Sequence, residues 1–296
     1  MPSLRGAPMA IAPADLALFT AGLAPPDEEA ARAVVGNAWK PLETMGAMDA
    51  LEAASAAVRD ALEAGPLVKD DFHQALRERV PRELLWWCKG CGSHHVHPSL
   101  WRATGIRGVL AIVGRDGRSP VFGAPPPAPA VEDAGAGLAR RFLSLYGPAT
   151  PKLLAGWAGL SAAHAQALWS RAGELERVDA GWMLPGDAAR LAQAPAVRGV
   201  RLLPSLDPIA GTRDRELLVP DPAVRKRIWT MLGGAGMVLA DGSIAGLWRP
   251  AKKGRRLVVT VEALDPGLRE RAGALTEEAE RLAPFRGAQG AALTFA

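Results

Sequence analysis

The sequence predicts an α+β fold, and three observations support this prediction. Apolar residues recur at helical spacing in residues 48–124, and that pattern ends in two short apolar strands joined by turn residues. Residues 131–192 repeat the same order after a proline-rich run. Residues 195–296 instead contain several strand-like runs and a closing helical pattern. With 49% hydrophobic and 22% charged residues, the 296-residue chain can form packed cores.

The chain begins with residues 1–47, which are predicted to be an N-terminal helical remnant or linker. Two short helices are predicted here, at residues 14–24 and 28–35, separated by Pro25-Pro26. The first clear unit spans residues 48–124. Its three helices and its hairpin are predicted at residues 51–62, 68–80, 98–104 and 109–122.

The second unit, residues 131–192, is predicted to contain the same elements in the same order. Its three helices and its hairpin fall at residues 138–145, 150–157, 162–171 and 175–184. Thr150 and Ser161 are predicted to cap the second and third helices. Three helices followed by a hairpin is the winged-helix order, in which the third helix enters the major groove of DNA. The sequence therefore predicts tandem winged-helix domains.

The third unit, residues 195–296, is predicted to be a small β-barrel-like domain with a C-terminal helix. Asp241-Gly242 has the composition of a two-residue hairpin turn. The closing helix is predicted over residues 266–283. Strands and a further helix are predicted at residues 199–203, 236–240, 243–248, 256–263 and 222–232.

Positive charge is concentrated in this third unit. Residues 195–296 hold 16 basic and 11 acidic residues, a net charge of +5, whereas the whole chain carries +4. The densest run contains no acidic residue and consists of Arg249, Lys252, Lys253, Arg255 and Arg256. Such a cluster predicts a surface that binds backbone phosphates, and the alternative is a solvated hairpin loop.

Both cysteines and three of the five histidines lie within one ten-residue stretch. Two cysteines exclude a disulfide framework. Cys88, Cys91 and His95 have the spacing of a zinc knuckle, and His97 or His94 would complete a tetrahedral set. The sequence thus predicts one structural zinc ion. The alternative is a pair of thiols packed near the neighbouring tryptophans, with solvent-exposed histidines.

Five strings of residues match one known family. They are RLLPSLDP at 201–208, RDRELLVP at 213–220, VLADGSIAGLWR at 238–249, LSLYGPA at 143–149 and EAER at 278–281. Together they resemble the bacterial winged-helix DNA-binding family that includes the AlkZ-like DNA glycosylases, over roughly residues 48–290. The resemblance implies tandem winged helices, a β-barrel and a body that binds double-stranded DNA.

The sequence departs from this family at the catalytic motif. Glycosylase members of the family carry a Gln-x-Gln or Gln-x-Asp pair in an N-terminal winged helix, where it positions the attacking water. No such pair is formed by the four glutamines of this chain, Gln74, Gln166, Gln193 and Gln289. Residues 3–8 resemble a stretch that follows the motif in longer relatives, so the first winged helix is expected to be absent. The resemblance therefore transfers no catalytic residue to this chain.

Asp207 is the remaining catalytic candidate. It follows an apolar strand and precedes Arg213 and Arg215. In a DNA cleft, Asp207 could orient water while the two arginines hold phosphate. The alternative is a turn-forming aspartate before proline, with structural salt bridges.

These features together predict a function. We expect a duplex DNA-binding protein related to base-excision repair glycosylases, noncatalytic or weakly catalytic. Two alternatives stay open: an active glycosylase for alkylated or crosslinked bases, and a winged-helix transcription regulator. The sequence shows no signal peptide or membrane-spanning pattern, so a cytoplasmic protein without a membrane partner is expected.

Overall fold

The computed structural model divides the chain into two compact units, Met1–Leu191 and Ala192–Ala296. Both units mix helices with strands, which confirms the predicted α+β class. The residues that the structure describes are 1–36, 44–205, 207–211, 215–229 and 234–296. In these ranges no helix is both long enough and apolar enough to cross a membrane.

The N-terminal unit opens with short 3₁₀ turns. The helix expected near residues 14–24 is replaced by the 3₁₀ turns Pro13–Asp15 and Ala21–Leu23, which follow a first turn at Leu4–Gly6. Helix α1, Glu28–Val35, begins after Asp27, whose carboxylate accepts a hydrogen bond from the Ala30 amide at 2.8 Å. This Asp27 cap satisfies an amide that has no partner within the helix.

The next elements of this unit surround one hydrophobic core. They are α2 (Ala47–Ala61), β1 (Leu67–Val68), α3 (Lys69–Arg79), β2 (Leu85–Cys88), β3 (Ser93–Val96), α4 (Pro98–Ala103), β4 (Ala111–Asp116) and β5 (Ser119–Gly123). Strands β1, β5 and β4 form an antiparallel sheet in that order, whereas β2 and β3 pair only with each other. The core is filled by Leu51, Val58, Phe72, Leu76, Leu100 and Phe122.

A second group of helices in the same unit has its own core. Its elements are α5 (Ala134–Tyr146), α6 (Pro151–Ala158), α7 (Ala162–Ser170), β6 (Glu176–Val178) and β7 (Gly181–Met183). Strands β6 and β7 form a hairpin, and Ala149 forms an isolated antiparallel bridge with Trp182 of β7. Leu138, Phe142, Leu154 and Leu168 are buried between the helices.

The boundary between the two units lies in α8, Asp187–Ala192. The C-terminal unit then contains β8 (Val200–Leu203), α9 (Arg215–Leu218), α10 (Pro222–Ile228), β9 (Gly236–Ala240), β10 (Ser243–Lys253), β11 (Arg256–Ala263), α11 (Ala272–Leu282) and β12 (Gly290–Phe295). The five strands pair in the order β12, β11, β10, β9, β8, and all pairs are antiparallel except β11 with β12.

Two features of this unit correct the sequence prediction. Among the described residues β8 and β12 are edge strands and no pairing joins them, so the sheet is open and not a closed barrel. The helix predicted over residues 266–283 forms as a 3₁₀ helix, Pro266–Arg271, followed by α11, but it is not the last element, since strand β12 comes after it.

The open sheet is covered on both faces. Trp248, Val259 and Leu275 belong to the cluster between one face and α11. Leu247, Met237 and Ile228 belong to a second cluster on the opposite face, where α10 packs. Adjacent residues of β10 therefore point to different cores, as the pleat of a strand requires.

Candidate nucleic-acid interface

The five cations of the predicted phosphate-binding run lie on one hairpin, residues 249–256, which we call the basic hairpin. It comprises the end of β10 and the start of β11, and its last pair is Lys253 with Arg256. Gly254 and Arg255 form the two-residue turn, and Gly254 has φ +58°. A left-handed φ at the turn favours glycine. All residues of the hairpin are solvent-exposed.

The pleat of the strand divides these cations between two faces. Leu247 and Trp248 fix the directions, since they belong to opposite cores. Arg249 and Lys253 follow on the face of Leu247, and Lys252 follows on the face of Trp248. The basic hairpin therefore presents positive charge on both of its sides.

Two of these arginines have partners within the protein. Arg256 donates a hydrogen bond from Nη2 to the carbonyl oxygen of Ala291 at 2.8 Å, which secures the edge strand β12. Arg249 is among the cations that lower the pKa of the Glu262 carboxyl, after the hydrogen bond from Arg227. Arg256 is thus partly committed to holding the sheet, whereas Lys252, Lys253 and Arg255 carry the exposed charge of the tip.

Trp248, next to the basic hairpin, is a core residue. Its side chain is 2% exposed, and its Nε1 donates a hydrogen bond to the Leu203 carbonyl at 2.8 Å. A buried indole with a satisfied N–H has no free face for a nucleic-acid base.

Asp207 occupies a turn. Its Oδ1 accepts a hydrogen bond from the Ile209 amide at 3.0 Å, ahead of the 3₁₀ helix Pro208–Gly211. This geometry favours the turn-forming alternative. Arg215 lies over the Trp229 ring, with its Cζ 5.0 Å from the ring centroid. Arg213 lies outside the residues that the structure describes.

Helix α10 adds cations that the sequence analysis did not select. Arg225, Lys226 and Arg227 form its last turn, and Arg227 makes a bidentate pair with Glu262 of β11. In the N-terminal unit, Arg115 and Arg118 lie exposed at the tip of the β4–β5 hairpin. Three consecutive basic residues and charges flanking a predicted turn were the signals that could have identified them.

Three predicted metal ligands meet at the β2–β3 hairpin. Potential ligand atoms of Cys88, Cys91 and His95 lie within 4.8 Å of one another. Strand pairing brings Cys88 opposite Ser93 and Trp86 opposite His95. We call Cys88, Cys91 and His95 the thiol cluster. The amide of Cys91 also donates to the Cys88 carbonyl at 3.3 Å, which closes the turn between the two cysteines.

The thiols of the cluster influence each other's protonation. A hydrogen bond with His95 is the largest of the effects that lower the pKa of the Cys88 thiol to about 7. The pKa of the Cys91 thiol is raised, chiefly by its hydrogen bond with Cys88. The two pKa values move in opposite directions because the thiols are hydrogen-bonded to each other. Once Cys88 has lost its proton, the neighbouring negative charge makes the proton of Cys91 harder to remove.

His97 and His94 are not part of the thiol cluster. Strand β3 ends at Val96, so His97 does not continue the alternation of an extended segment. The Nδ1 atom of His97 instead accepts the Ser99 amide at 3.2 Å and caps α4. His94 packs against Trp87, with 5.1 Å between ring centroids.

A histidine from a neighbouring helix lies beside the cluster. The ring centroid of His73, on α3, is 6.5 Å from that of His95 and 5.2 Å from that of Trp101. Burial and the adjacent His95 lower the pKa of His73 to about 4. His73 is therefore neutral at pH 7, the form of an imidazole that binds metals.

Comparison with known proteins finds one matching family and a similar solved structure. The sequence profile of the family described as DNA glycosylase AlkZ-like matches residues 1–285. A solved structure, the Streptomyces sahachiroi DNA glycosylase AlkZ, is similar with a TM-score of 0.69 and 20% sequence identity. The similarity covers 100% of this chain and 81% of that one. No curated protein matches the chain.

Proposed function

Because the chain belongs to the AlkZ-like family of DNA glycosylases, we propose that it binds duplex DNA in base repair without releasing the damaged base at the rate of an active glycosylase. The basic hairpin carries this proposal. Three exposed cations at its tip, Lys252, Lys253 and Arg255, have no acidic residue among them in sequence. The positive charge of this tip complements the negative charge of a phosphate backbone.

The strand order of the N-terminal unit supports a winged helix. A winged helix arranges its elements as helix, strand, two helices and two strands, and the first strand pairs with the last. Here α2, β1, α3, α4, β4 and β5 follow one another, and β5 lies between β1 and β4. The β2–β3 hairpin is then an insertion between the second helix and the third.

The second group of helices supports a second winged helix in the same way. Helices α5, α6 and α7 precede β6 and β7, and the Ala149–Trp182 bridge occupies the position of the first strand. In this reading α4 and α7 are the recognition helices. Helix α7 exposes Ala162, Ala163, Gln166 and Ala167 on one side, and the opposite side is buried.

The glutamines support the noncatalytic part of the proposal. Gln74 and Gln166 lie exposed on α3 and α7, and each donates a hydrogen bond to a side chain one helical turn further on, Glu78 and Ser170. Neither is part of a paired motif that holds water. The Oδ1 of Asp207 accepts a backbone amide in its turn, which supports a turn-forming role for this residue.

One experiment tests both parts of the proposal. The full chain is mixed with a duplex that contains a 7-methylguanine lesion and with the same duplex unmodified. We expect binding to both duplexes and base release no faster than the spontaneous rate. Binding to neither duplex overturns the DNA-binding function. Base release as fast as that of an active control glycosylase overturns the noncatalytic part.

Two further outcomes separate the alternatives. Base release that disappears in Asp207→Asn favours an active glycosylase that uses this carboxylate. A preference for one unmodified sequence over others, with no effect of the lesion, favours a winged-helix transcription regulator instead, because base-edge contacts and not phosphate contacts create sequence preference.

A further inference from the structure

We propose that Cys88, Cys91 and His95 bind one zinc ion, with His73 of α3 as the fourth ligand. This inference rests on the thiol cluster and on the neighbouring His73, and it is independent of the proposed function. The ligand atoms of Cys88, Cys91 and His95 already lie within 4.8 Å of one another. Zinc is held at about 2.3 Å by thiolate sulfur and about 2.0–2.1 Å by imidazole nitrogen, so small side-chain rotations close the site.

The turn between the cysteines has the hydrogen bonds of a zinc knuckle. The amides of Cys91 and Gly90 donate to the Cys88 sulfur. The Gly92 amide donates to the Cys88 carbonyl at 2.9 Å, and Gly92 has φ +61°. Amides that point at a sulfur stabilise its thiolate, the form that binds zinc.

The face of α3 that meets the hairpin supplies the fourth ligand. His73 lies on α3 one turn after Lys69, and α3 packs against strand β3 of the hairpin. The ring centroids of His73 and His95 are 6.5 Å apart, which places this face of α3 beside the thiol cluster. Two thiolates and two neutral imidazoles around Zn²⁺ form a site without net charge.

A metal at this position also adds to the stability of the hairpin. Strands β2 and β3 have four residues each and form a separate two-stranded sheet. An isolated two-stranded hairpin is marginally stable in water. A zinc ion held by both strands and by α3 stabilises the folded hairpin directly. The same ion fixes the start of α4, which follows β3 after a single residue.

The test begins with the full chain, purified without chelators under reducing conditions. Mass spectrometry of the native protein is expected to show one zinc per chain. After zinc removal, Co²⁺ is expected to bind with the absorption bands of thiolate ligation. A reduced chain with both thiols free that takes up neither zinc nor Co²⁺ overturns the proposal.

Single substitutions assign the ligands. We expect His95→Asn to weaken zinc binding by more than about 100-fold, because even removal of an outer-shell partner costs about 10- to 100-fold. His94→Asn is the matched control, since His94 lies in the same strand but packs on Trp87, and it is expected to leave zinc affinity unchanged. Equal losses in the two variants overturn the proposal.

His73→Asn tests the fourth ligand separately. We expect a loss of zinc affinity and a change in the Co²⁺ spectrum, because one nitrogen ligand is replaced by water or by the amide. An affinity and a spectrum identical to those of the wild-type chain overturn the role of His73. Cys88→Ser with Cys91→Ser is expected to abolish binding, and the single histidine variants keep the test valid if this double variant does not fold.

Discussion

At the scale of single residues, Glu28 links two helices through one carboxylate. Its Oε1 and Oε2 accept the backbone amides of Ala47 and Met48 at 2.8 and 2.9 Å, at the start of α2. Arg32 also donates to Oε1 at 2.9 Å. These hydrogen bonds, first that of Ala47, lower the pKa of Glu28 to about 2. A carboxylate at a helix N-terminus also benefits from the helix dipole.

The depressed pKa of Glu28 predicts how stability depends on pH. Because the folded-state pKa of about 2 lies below the usual value of 4.5, the stabilisation is complete above pH 4.5 and is lost as the pH falls towards 2. We expect Glu28→Gln to lower the free energy of unfolding at pH 7 and to reduce the loss of stability between pH 4.5 and 2. Denaturant unfolding at several pH values measures both effects.

Glu29→Gln is the control for this prediction. Glu29 is the adjacent residue of α1, is exposed and is also in the first turn. This control is expected to retain the wild-type pH dependence. A Glu28→Gln variant that loses stability with acid as steeply as the wild-type chain contradicts the assigned role of the carboxylate.

Sequence reasoning succeeded for residues whose contacts are local. Ser161 caps α7 as predicted, and its hydroxyl accepts the His164 amide at 3.1 Å. Thr150 is in the predicted cap position of α6, but its side chain makes no capping hydrogen bond. The approach of His73 to His95 was not predictable, because it depends on how α3 packs against β3 and not on spacing along the chain.

At the scale of secondary-structure elements, the strands that the sequence predicted have partners nearby in the chain, whereas the strands that it did not predict have distant partners or a weak pattern. The Asp241-Gly242 turn was predicted because hairpin partners are neighbours in sequence, and both residues have the expected positive φ. Strand β1 has only two residues, and its partner in β5 begins more than 50 residues later. Strand β12 pairs in parallel with β11, and its short apolar run carries no alternating pattern.

The N-terminal segment provides a test at this scale. Pro2 and Pro8 form an isolated bridge, and Leu4 is buried. Gly105, in the 3₁₀ helix Thr104–Arg107, approaches this segment so closely that an added Cβ would lie 2.1 Å from the Pro2 carbonyl oxygen. The close approach of Pro2 to position 105 therefore requires a residue without a side chain there.

We expect Gly105→Ala to destabilise the N-terminal unit by about 1–3 kcal/mol, the usual cost of overpacking. Hydrogen exchange of residues 1–9 should become faster, because the segment must move away. Gly156→Ala is the control, since Gly156 lies in α6 with open space around its Cβ position. That change should stabilise the helix by up to about 1 kcal/mol. Equal unfolding free energies for Gly105→Ala and the wild-type chain contradict the close approach.

At the scale of the whole molecule, the distribution of charge was readable from the sequence, but its geometry was not. Counting residues gave a net charge of +5 for residues 195–296. It could not show that the pleat separates Lys252 from Lys253, or that Arg256 bonds to the Ala291 carbonyl. These depend on strand register and on the parallel strand β12, which are tertiary features.

The same charge distribution predicts how DNA binding responds to salt. Replacing Lys252, Lys253 and Arg255 with alanine removes the exposed cations of the hairpin tip. Each lost phosphate contact removes about 0.9 from the slope of log affinity against log salt, so we expect the slope to flatten by roughly two to three units. Duplex binding titrations from low to moderate salt measure this slope, and the preference for the lesion should persist.

A control variant replaces Arg198, Arg281 and Arg286 with alanine. It lowers the net charge of the same unit by the same amount and should flatten the slope less. Identical slopes for the two variants would mean that net charge, and not contact by the basic hairpin, governs binding.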